Sequence, residues 1–248
     1  MRGQWLKLSP GRRLVIDFLY FAAKVPAVVA ERRMNLLPLL VARRSTTPHI
    51  SWQALFIKAY ALTAVDFPEL RRAYVKLPWP HFCEYPTAAA VVTIEREIAG
   101  EKVVFNLPLR TPTQRTLAKL DANIRLARTL PVRDVLFFRR WLAFARLPMP
   151  LRRLLIWIGL NWGRQRANYF GSFLVTSYAA LGAEALRPLS PATTSLTYGL
   201  IDETGSVAVR VTYDHRVLDG ATMARALFRL EAVLNGQIAA ELARPTAA

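Results

Sequence analysis

The chain is short of cysteine, of acidic charge and of long apolar runs. Cys83 is the only cysteine in 248 residues. That excludes a disulfide scaffold, and a lone thiol fits a reducing cytoplasm better than a secreted setting. The opening stretch MRGQWLKLSPGRR lacks the apolar core and small-residue cleavage site of a signal peptide. No apolar run approaches the roughly 20 residues that span a bilayer. A cytoplasmic location is therefore expected. Repeats and low-complexity tracts are absent too. What is present is 53% hydrophobic and 21% charged residues, which excludes disorder for the bulk of the chain. This length is compatible with one core.

Acidic residues number 17 against 34 basic ones, for a formal net charge of +17. Such an excess points to nucleic acid, to an anionic membrane surface, or to arginine-rich codon usage with no ligand at all. Its distribution discriminates among these. Residues 1–76 carry +9, 77–132 carry +2, 133–168 carry +7 and 169–248 carry −1. The charge sits in two blocks, and its basic residues alternate with aliphatic ones rather than with aromatics on strands. No nucleic-acid partner is expected.

The periodicity predicts one domain over 1–248 with a helical segment inserted at 133–168. Arg12 to Val41 reads as helical, interrupted by Pro26 and Pro38. Ser51 to Val65 is a helix with Trp52, Leu55, Phe56, Ala59 and Leu62 on one face and Lys58 toward the other. Ala88 to Ile94 and Lys102 to Leu107 are strands joined by a turn at Ala99-Gly100, and Thr113 to Thr129 is a helix. Phe170 to Thr176, Leu196 to Ile201 and Ser206 to Tyr213 are strands, the last two joined at Asp202-Glu203-Thr204-Gly205. Thr222 to Leu234 is a helix that should stop at Asn235-Gly236. Strands mixed with helices indicate an α/β (α+β two-layer) fold.

Candidate chemistry lies where the last strand ends. Tyr213 to Gly220, YDHRVLDG, breaks the strand alternation and places an imidazole, two carboxylates and a guanidinium between a strand and a helix. The ordinary imidazole pKa of about 6.5 suits a general base near neutral pH. Gly220 permits a tight turn into the helix, and Asp219 is spaced to brace the loop rather than to touch the imidazole. A strand-end histidine that merely satisfies hydrogen bonds is the plainer alternative for His215.

The run DHRVLDG resembles the H-x-x-x-D-G signature of the 2-oxoacid dehydrogenase acyltransferases, within the chloramphenicol acetyltransferase-like superfamily. Condensation-type enzymes share a looser pattern with a second histidine where Asp214 stands. The likeness extends upstream to Ile50-Ser51-Trp52-Gln53-Ala54-Leu55-Phe56-Ile57-Lys58-Ala59, to Pro68-Glu69-Leu70, and to Gly171 through Ser177, GSFLVTS, similar to the family's G-T-F-T-I-S-N strand. The resemblance implies a mixed sheet with flanking helices and a homotrimer whose site lies between subunits. It implies an acyl group moved from a thioester, acyl-CoA or a carrier-protein thioester, to a hydroxyl or amine. No metal and no tightly bound cofactor is expected. With no lipoyl domain ahead of the helix, a free donor is expected rather than a dehydrogenase complex. By the same resemblance His215 is the general base and Thr176, where the family has serine, donates to the oxyanion. Ser177 is the other candidate donor, and strand alternation lets only one of them face the site. Asp219 would hold an N-terminal basic residue, for which Lys24 is the candidate. Arg216 reads as a loop or interface residue.

Residues 133–168 have no counterpart in this pattern. They hold eight arginines, one aspartate and three of the six tryptophans. On a helical wheel Phe137, Trp141 and Phe144 cluster, and Leu151, Leu154, Leu155, Ile158 and Trp162 repeat the arrangement with Arg152 and Arg153 turned away. Two readings stand. The segment lies on an anionic membrane through Trp141, Arg152, Arg153, Trp157 and Trp162, peripheral on the inner face, which implies a lipid or membrane-bound acceptor. Or it is a helical hairpin packed on the trimer, with a soluble acceptor or a catalytically degenerate binding module.

Overall fold

Val207, Val209, Val211 and Tyr213 alternate with polar residues, and burying that apolar face sets the centre of the molecule. The computed structural model describes residues 3–47, 49–98 and 100–244. Its elements in chain order begin with α1 (Pro10–Ala22), β1 (Ala27–Asn35), α2 (Leu37–Arg44), α3 (Trp52–Asp66), β2 (Arg72–Val75), β3 (His81–Glu84), β4 (Ala90–Ile98) and β5 (Glu101–Leu109). There follow α4 (Leu117–Thr129), α5 (Leu136–Phe144), α6 (Met149–Asn161), α7 (Gly163–Phe170), β6 (Phe173–Thr176), β7 (Thr194–Tyr198), β8 (Ser206–Asp214), α8 (Gly220–Val233) and α9 (Ala239–Ala243). Six strands form a mixed sheet in the order β1-β8-β7-β6-β4-β5, with β6 parallel to both its neighbours and the other pairs antiparallel. Strands β2 and β3 make a separate ribbon. Of the turn at Ala99-Gly100, Ala99 lies outside the described residues, and Gly100 has φ +80.

One face of the sheet carries the main core. Ala90, Val92, Ile94, Phe173, Val175 and Leu196 join the apolar face of β8 there, beneath α3, α4 and α8. Helix α3 is buried almost all round, because its apolar residues are not confined to one stripe. Lys58, expected to face outward, is consequently only 7% exposed, and its ammonium pairs with Glu241 of α9 at 2.5 Å. The turn into β8 matches its sequence signal. Asp202 Oδ1 accepts from the Thr204 N–H and hydroxyl and from the Ser206 N–H. These bonds lower the Asp202 pKa, the Thr204 side-chain bond most. Gly205 at φ +82 lies so close to α2 that an added Cβ would sit 2.4 Å from the Leu37 nitrogen.

Three expectations are corrected. Residues 27–35 of the N-terminal block are not helical. They form an edge strand paired along its full length with β8, the helix having ended before Pro26. The last helix does not stop at Asn235-Gly236 but passes through a π-helical turn, Leu234–Ile238, into α9. Leu234 and Ile238 are fully buried, and that burial outweighs the roughly 1 kcal/mol that glycine costs a helix.

The third correction concerns 133–168, where the two expected arms form as α5 and α6 and part of α7 follows them. Helix α6 is rotated from the expected phase. Arg152 is buried at 5% exposure, while Leu151, Leu154 and Leu155 are 43%, 52% and 42% exposed. The cause is Asp17 on α1, fully buried and requiring partners. Its carboxylate accepts from Arg152 Nε at 2.6 Å and from Arg153 Nε at 3.1 Å. Arg152 also donates to the Leu147 carbonyl, and the Arg153 guanidinium lies 4.3 Å from the centre of the Tyr20 ring. Replacing Asp17 with Ala strands a buried guanidinium and should lower unfolding free energy by about 3–5 kcal/mol in urea denaturation, whereas Arg153→Ala should cost no more than about 1 kcal/mol.

Candidate active site

The loop after β8 is organised by Asp214, which is 2% exposed. Its carboxylate accepts from the Arg216 N–H at 3.1 Å and from Arg216 Nε and Nη2 at 2.9 and 2.7 Å. Its carbonyl accepts from the N–H groups of Val217 and Leu218. A two-pronged, charge-assisted pair of this kind holds a loop without help from distant residues. The Arg216 guanidinium also lies 4.5 Å from the centre of the Tyr74 ring on β2. The His215 N–H donates to the Pro26 carbonyl at 3.0 Å, tying the loop to the entry of β1.

His215 stands on this loop with its side chain 51% exposed. Its Nδ1 is 2.9 Å from the Leu218 carbonyl oxygen. A carbonyl can only accept, so Nδ1 carries the proton of the neutral ring and the lone pair resides on Nε2. The arrangement is that of an oriented base. Of the other histidines, His49 sets Nδ1 3.1 Å from the Arg43 carbonyl and His81 sets it 2.6 Å from that of Trp79.

The braces expected around His215 differ from those observed. Asp219 is 87% exposed at its side chain and 4.0 Å from His215 Nδ1, beyond hydrogen-bonding reach, and it makes no hydrogen bond through its carboxylate among the described residues. Lys24 is not its partner within the chain. That ammonium lies 3.8 Å from the centre of the Tyr20 ring and holds the Tyr20 phenol below its ordinary pKa. Asp214 performs the bracing instead, because it is the carboxylate that burial forces to find a cation. Gly220 opens α8 with ordinary helical backbone, and a Cβ there would touch only the Tyr213 hydroxyl at 3.5 Å. The turn therefore makes no demand for glycine.

Thr176 ends β6, and its Oγ1 lies 2.7 Å from Thr93 Oγ1 on β4. The register Val91↔Leu174 and strand alternation put Val91, Thr93, Leu174 and Thr176 together on the face opposite the main core. Ser177 is already engaged. Its hydroxyl donates to the Tyr198 carbonyl at 2.9 Å and accepts from the Ala179 N–H at 3.3 Å. Thr176 is thus the hydroxyl with a proton to offer, and Thr93, which donates to it, is a functional candidate that sequence reasoning missed. Its signal was visible as the one polar residue in the strand AAAVVTI.

Within one chain the imidazole and this hydroxyl pair are far apart. Thr176 is level with Thr197 on β7 and so with Arg210 on β8, five residues before His215. Five residue steps along β8 and two strand spacings across the sheet separate them by roughly 20 Å. Of the five residues of 133–168 expected to face a membrane, Arg152 and Arg153 serve Asp17, and Trp141 packs on Phe18 with ring centres 5.1 Å apart. Trp157 and Trp162 do face outward, 37% and 57% exposed. A further arginine of the block, Arg166 on α7, reaches under the motif loop. It is 6% exposed and donates to the carbonyls of Tyr74 and Pro191 at 2.7 and 2.8 Å. Burial lowers its pKa, and the nearby Asp214 carboxylate opposes that shift.

No protein-family model and no curated protein sequence matches the chain. Solved structures match its fold. The dihydrolipoamide acetyltransferase of Azotobacter vinelandii is 15% identical with a TM-score of 0.69, covering 95% of this chain and 93% of that one. That structure addressed the catalytic roles of a serine, a histidine and an asparagine four residues beyond the histidine. A truncated catalytic core of the 2-oxoacid dehydrogenase complex from Thermoplasma acidophilum is 12% identical at TM-score 0.67, over 94% and 99% of the two chains. A chloramphenicol acetyltransferase is 14% identical at TM-score 0.51, over 87% and 92%. The chain, a six-stranded mixed sheet with flanking helices, shares its fold with these acetyltransferases.

The loop geometry can be checked by stability. Asp214→Ala removes the acceptor of three hydrogen bonds but leaves the Arg216 guanidinium able to turn to solvent, and should cost about 1–3 kcal/mol in urea denaturation. Gly220→Ala should change stability by less than about 1 kcal/mol in either direction.

Proposed function

We propose that the protein is an acyltransferase that moves an acyl group from a thioester to a hydroxyl or amine. The observation that carries this reading is His215, held at Nδ1 by the Leu218 carbonyl with its side chain half exposed, on a fold shared with acetyltransferases. The four-residue spacing from His215 to Asp219 equals that of the histidine and asparagine examined in the Azotobacter vinelandii enzyme. His215 Nε2 removes the acceptor's proton as its oxygen or nitrogen attacks the thioester carbonyl carbon. The new bond forms, and negative charge collects on the former carbonyl oxygen. Thr176 donates a hydrogen bond to that oxyanion while accepting one from Thr93, and one such donor is worth roughly 10²–10³ in kcat. Collapse breaks the carbon–sulfur bond, and the imidazolium returns its proton to the leaving thiolate. The donor is free acyl-CoA or a carrier-protein thioester, with no tightly bound cofactor.

A site that uses both His215 and Thr176, roughly 20 Å apart in one chain, draws them from different copies. A homotrimer supplies this, each site combining one subunit's imidazole with its neighbour's hydroxyl pair. We also propose that the acceptor is lipid or membrane-bound. No helix among the described residues is long and apolar enough to cross a membrane. Support comes instead from the outward apolar face of α6, where Leu151, Leu154, Leu155 and Trp157 stand exposed beside the basic block.

His215→Ala should lower thiol release from acyl-CoA, assayed with a lipid extract as acceptor source, by roughly 10²–10⁴-fold. Thr176→Val should lower it by roughly 10²–10³-fold. Mixing the two inactive variants after dissociation and reassociation should restore about a quarter of wild-type activity by random pairing of intact halves. No recovery would remove the intersubunit site, and unchanged release in His215→Ala would remove the base. In a flotation assay at low salt the protein should rise with vesicles containing phosphatidylglycerol, and a Leu151/Leu154/Leu155→Ser variant should stay at the bottom. A wild type that does not float would remove membrane docking.

A further inference from the structure

A cavity of about 250 Å³ lies between α1, β5 and Trp141 of α5, and Thr93 lines it. We infer that this cavity takes the hydrocarbon chain of the transferred acyl group, of medium length, an inference that rests on the acyltransferase reading above.

Most of the wall is apolar, with Lys102 and Ser190 among the polar residues that line it. Leu14, Val15 and Phe18 come from α1, Val104 and Phe105 from β5, and Leu174 from the strand that ends at Thr176. Trp141 closes one side, held by aromatic contacts to Phe18, Phe137 and Phe144 at centroid distances of 5.1, 5.7 and 5.6 Å. That wall belongs to the 133–168 segment, which gives it a role apart from any membrane contact. The cavity is also elongated. It follows β5 from Glu101 to Asn106, five residue steps or roughly 17 Å.

Its two ends differ in chemistry. At one end Asn106 pairs across the sheet with Thr93, whose hydroxyl donates to Thr176, the donor assigned to the oxyanion. At the other, Arg12 and Glu101 form an ion pair at 3.8 Å. Gly11 lets α1 close on β5 beside that pair, since a Cβ there would sit 2.2 Å from Val103 Cγ1. A thioester carbonyl at the threonines therefore directs its alkyl tail along β5 toward the Arg12–Glu101 pair. At about 30 Å³ per water-sized group, the space accepts on the order of eight carbons. An acetyl group would leave most of it unfilled, and each methylene buried should raise affinity about fourfold until the end is reached.

The test is a series of acyl-CoA donors from acetyl to dodecanoyl, with calorimetric binding of unreactive S-alkyl-CoA thioethers of the same lengths, for wild type, Val15→Phe and Trp141→Ala. Wild-type kcat/KM should rise with length to near octanoyl and then fall. Val15→Phe, which narrows the cavity, should move the optimum to shorter chains and lower the octanoyl-to-acetyl ratio at least tenfold. Trp141→Ala, which opens its side, should move the optimum to longer chains. Folded variants that keep the wild-type profile would overturn the cavity assignment and leave acyl transfer standing. If wild type turns over no donor, the acyltransferase reading fails, and the thioethers decide for the cavity alone. Affinity that grows with chain length and is lost in Val15→Phe supports it, and affinity independent of length overturns it. Should one variant fail to fold, the other carries the same comparison.

Discussion

The register of β8 between β1 and β7 is the constraint on which the rest depends. Nine residues pair with β1 on one side and five with β7 on the other, so this strand has no freedom to slip. A shift of one residue would turn Val207, Val209, Val211 and Tyr213 out of the core. The strand then runs out at Asp214, and the motif loop begins at a place the hydrophobic face has already determined. Asp214 is the hinge between the two regimes. It is buried as the last residue of the strand, and the Arg216 guanidinium that neutralises it draws the loop into the shape that presents His215.

The same sheet explains why the imidazole and the threonine hydroxyls sit at opposite ends of one chain. Strand β6 is parallel to its neighbours and β8 is antiparallel to β7, so the C-terminal ends of β6 and β8 point in opposite directions. Loop rearrangement cannot remove this separation, because it is built into hydrogen-bonded ladders. A site drawing on both ends would therefore need two chains. The helices of 133–168 connect to this frame in three places. Arg152 and Arg153 neutralise Asp17 of α1, Arg166 supports the strand that packs on Arg216, and Trp141 walls the cavity that reaches Thr93.

Much of this was legible from residue order. The strand 206–214, its turn at Asp202 to Gly205 and the helix 52–66 follow from periodicity and turn chemistry, which act over a few neighbouring residues. The DHRVLDG run was legible as a site because it interrupts that periodicity. Errors arose where burial reassigned a charge. Lys58 and Arg152 read as outward on a helical wheel, but a wheel contains no knowledge of Glu241 or Asp17, 183 and 135 residues away. Thr93 was missed for the same reason, since its bond to Thr176 spans 83 residues.

Sequence by itself determined where β4, β5, β8 and the helices α3, α4 and α8 lie, which face of β8 is buried, and that an imidazole, two carboxylates and a guanidinium crowd one strand end. These are local properties, written in spacing. Only the tertiary structure decided which carboxylate braces the loop, which hydroxyl remains free to donate, and that α6 turns its arginine inward and its leucines out. Those outcomes depend on desolvation: a buried charge or hydroxyl must find a partner wherever the fold brings one, and distance along the chain has no bearing on which one it finds.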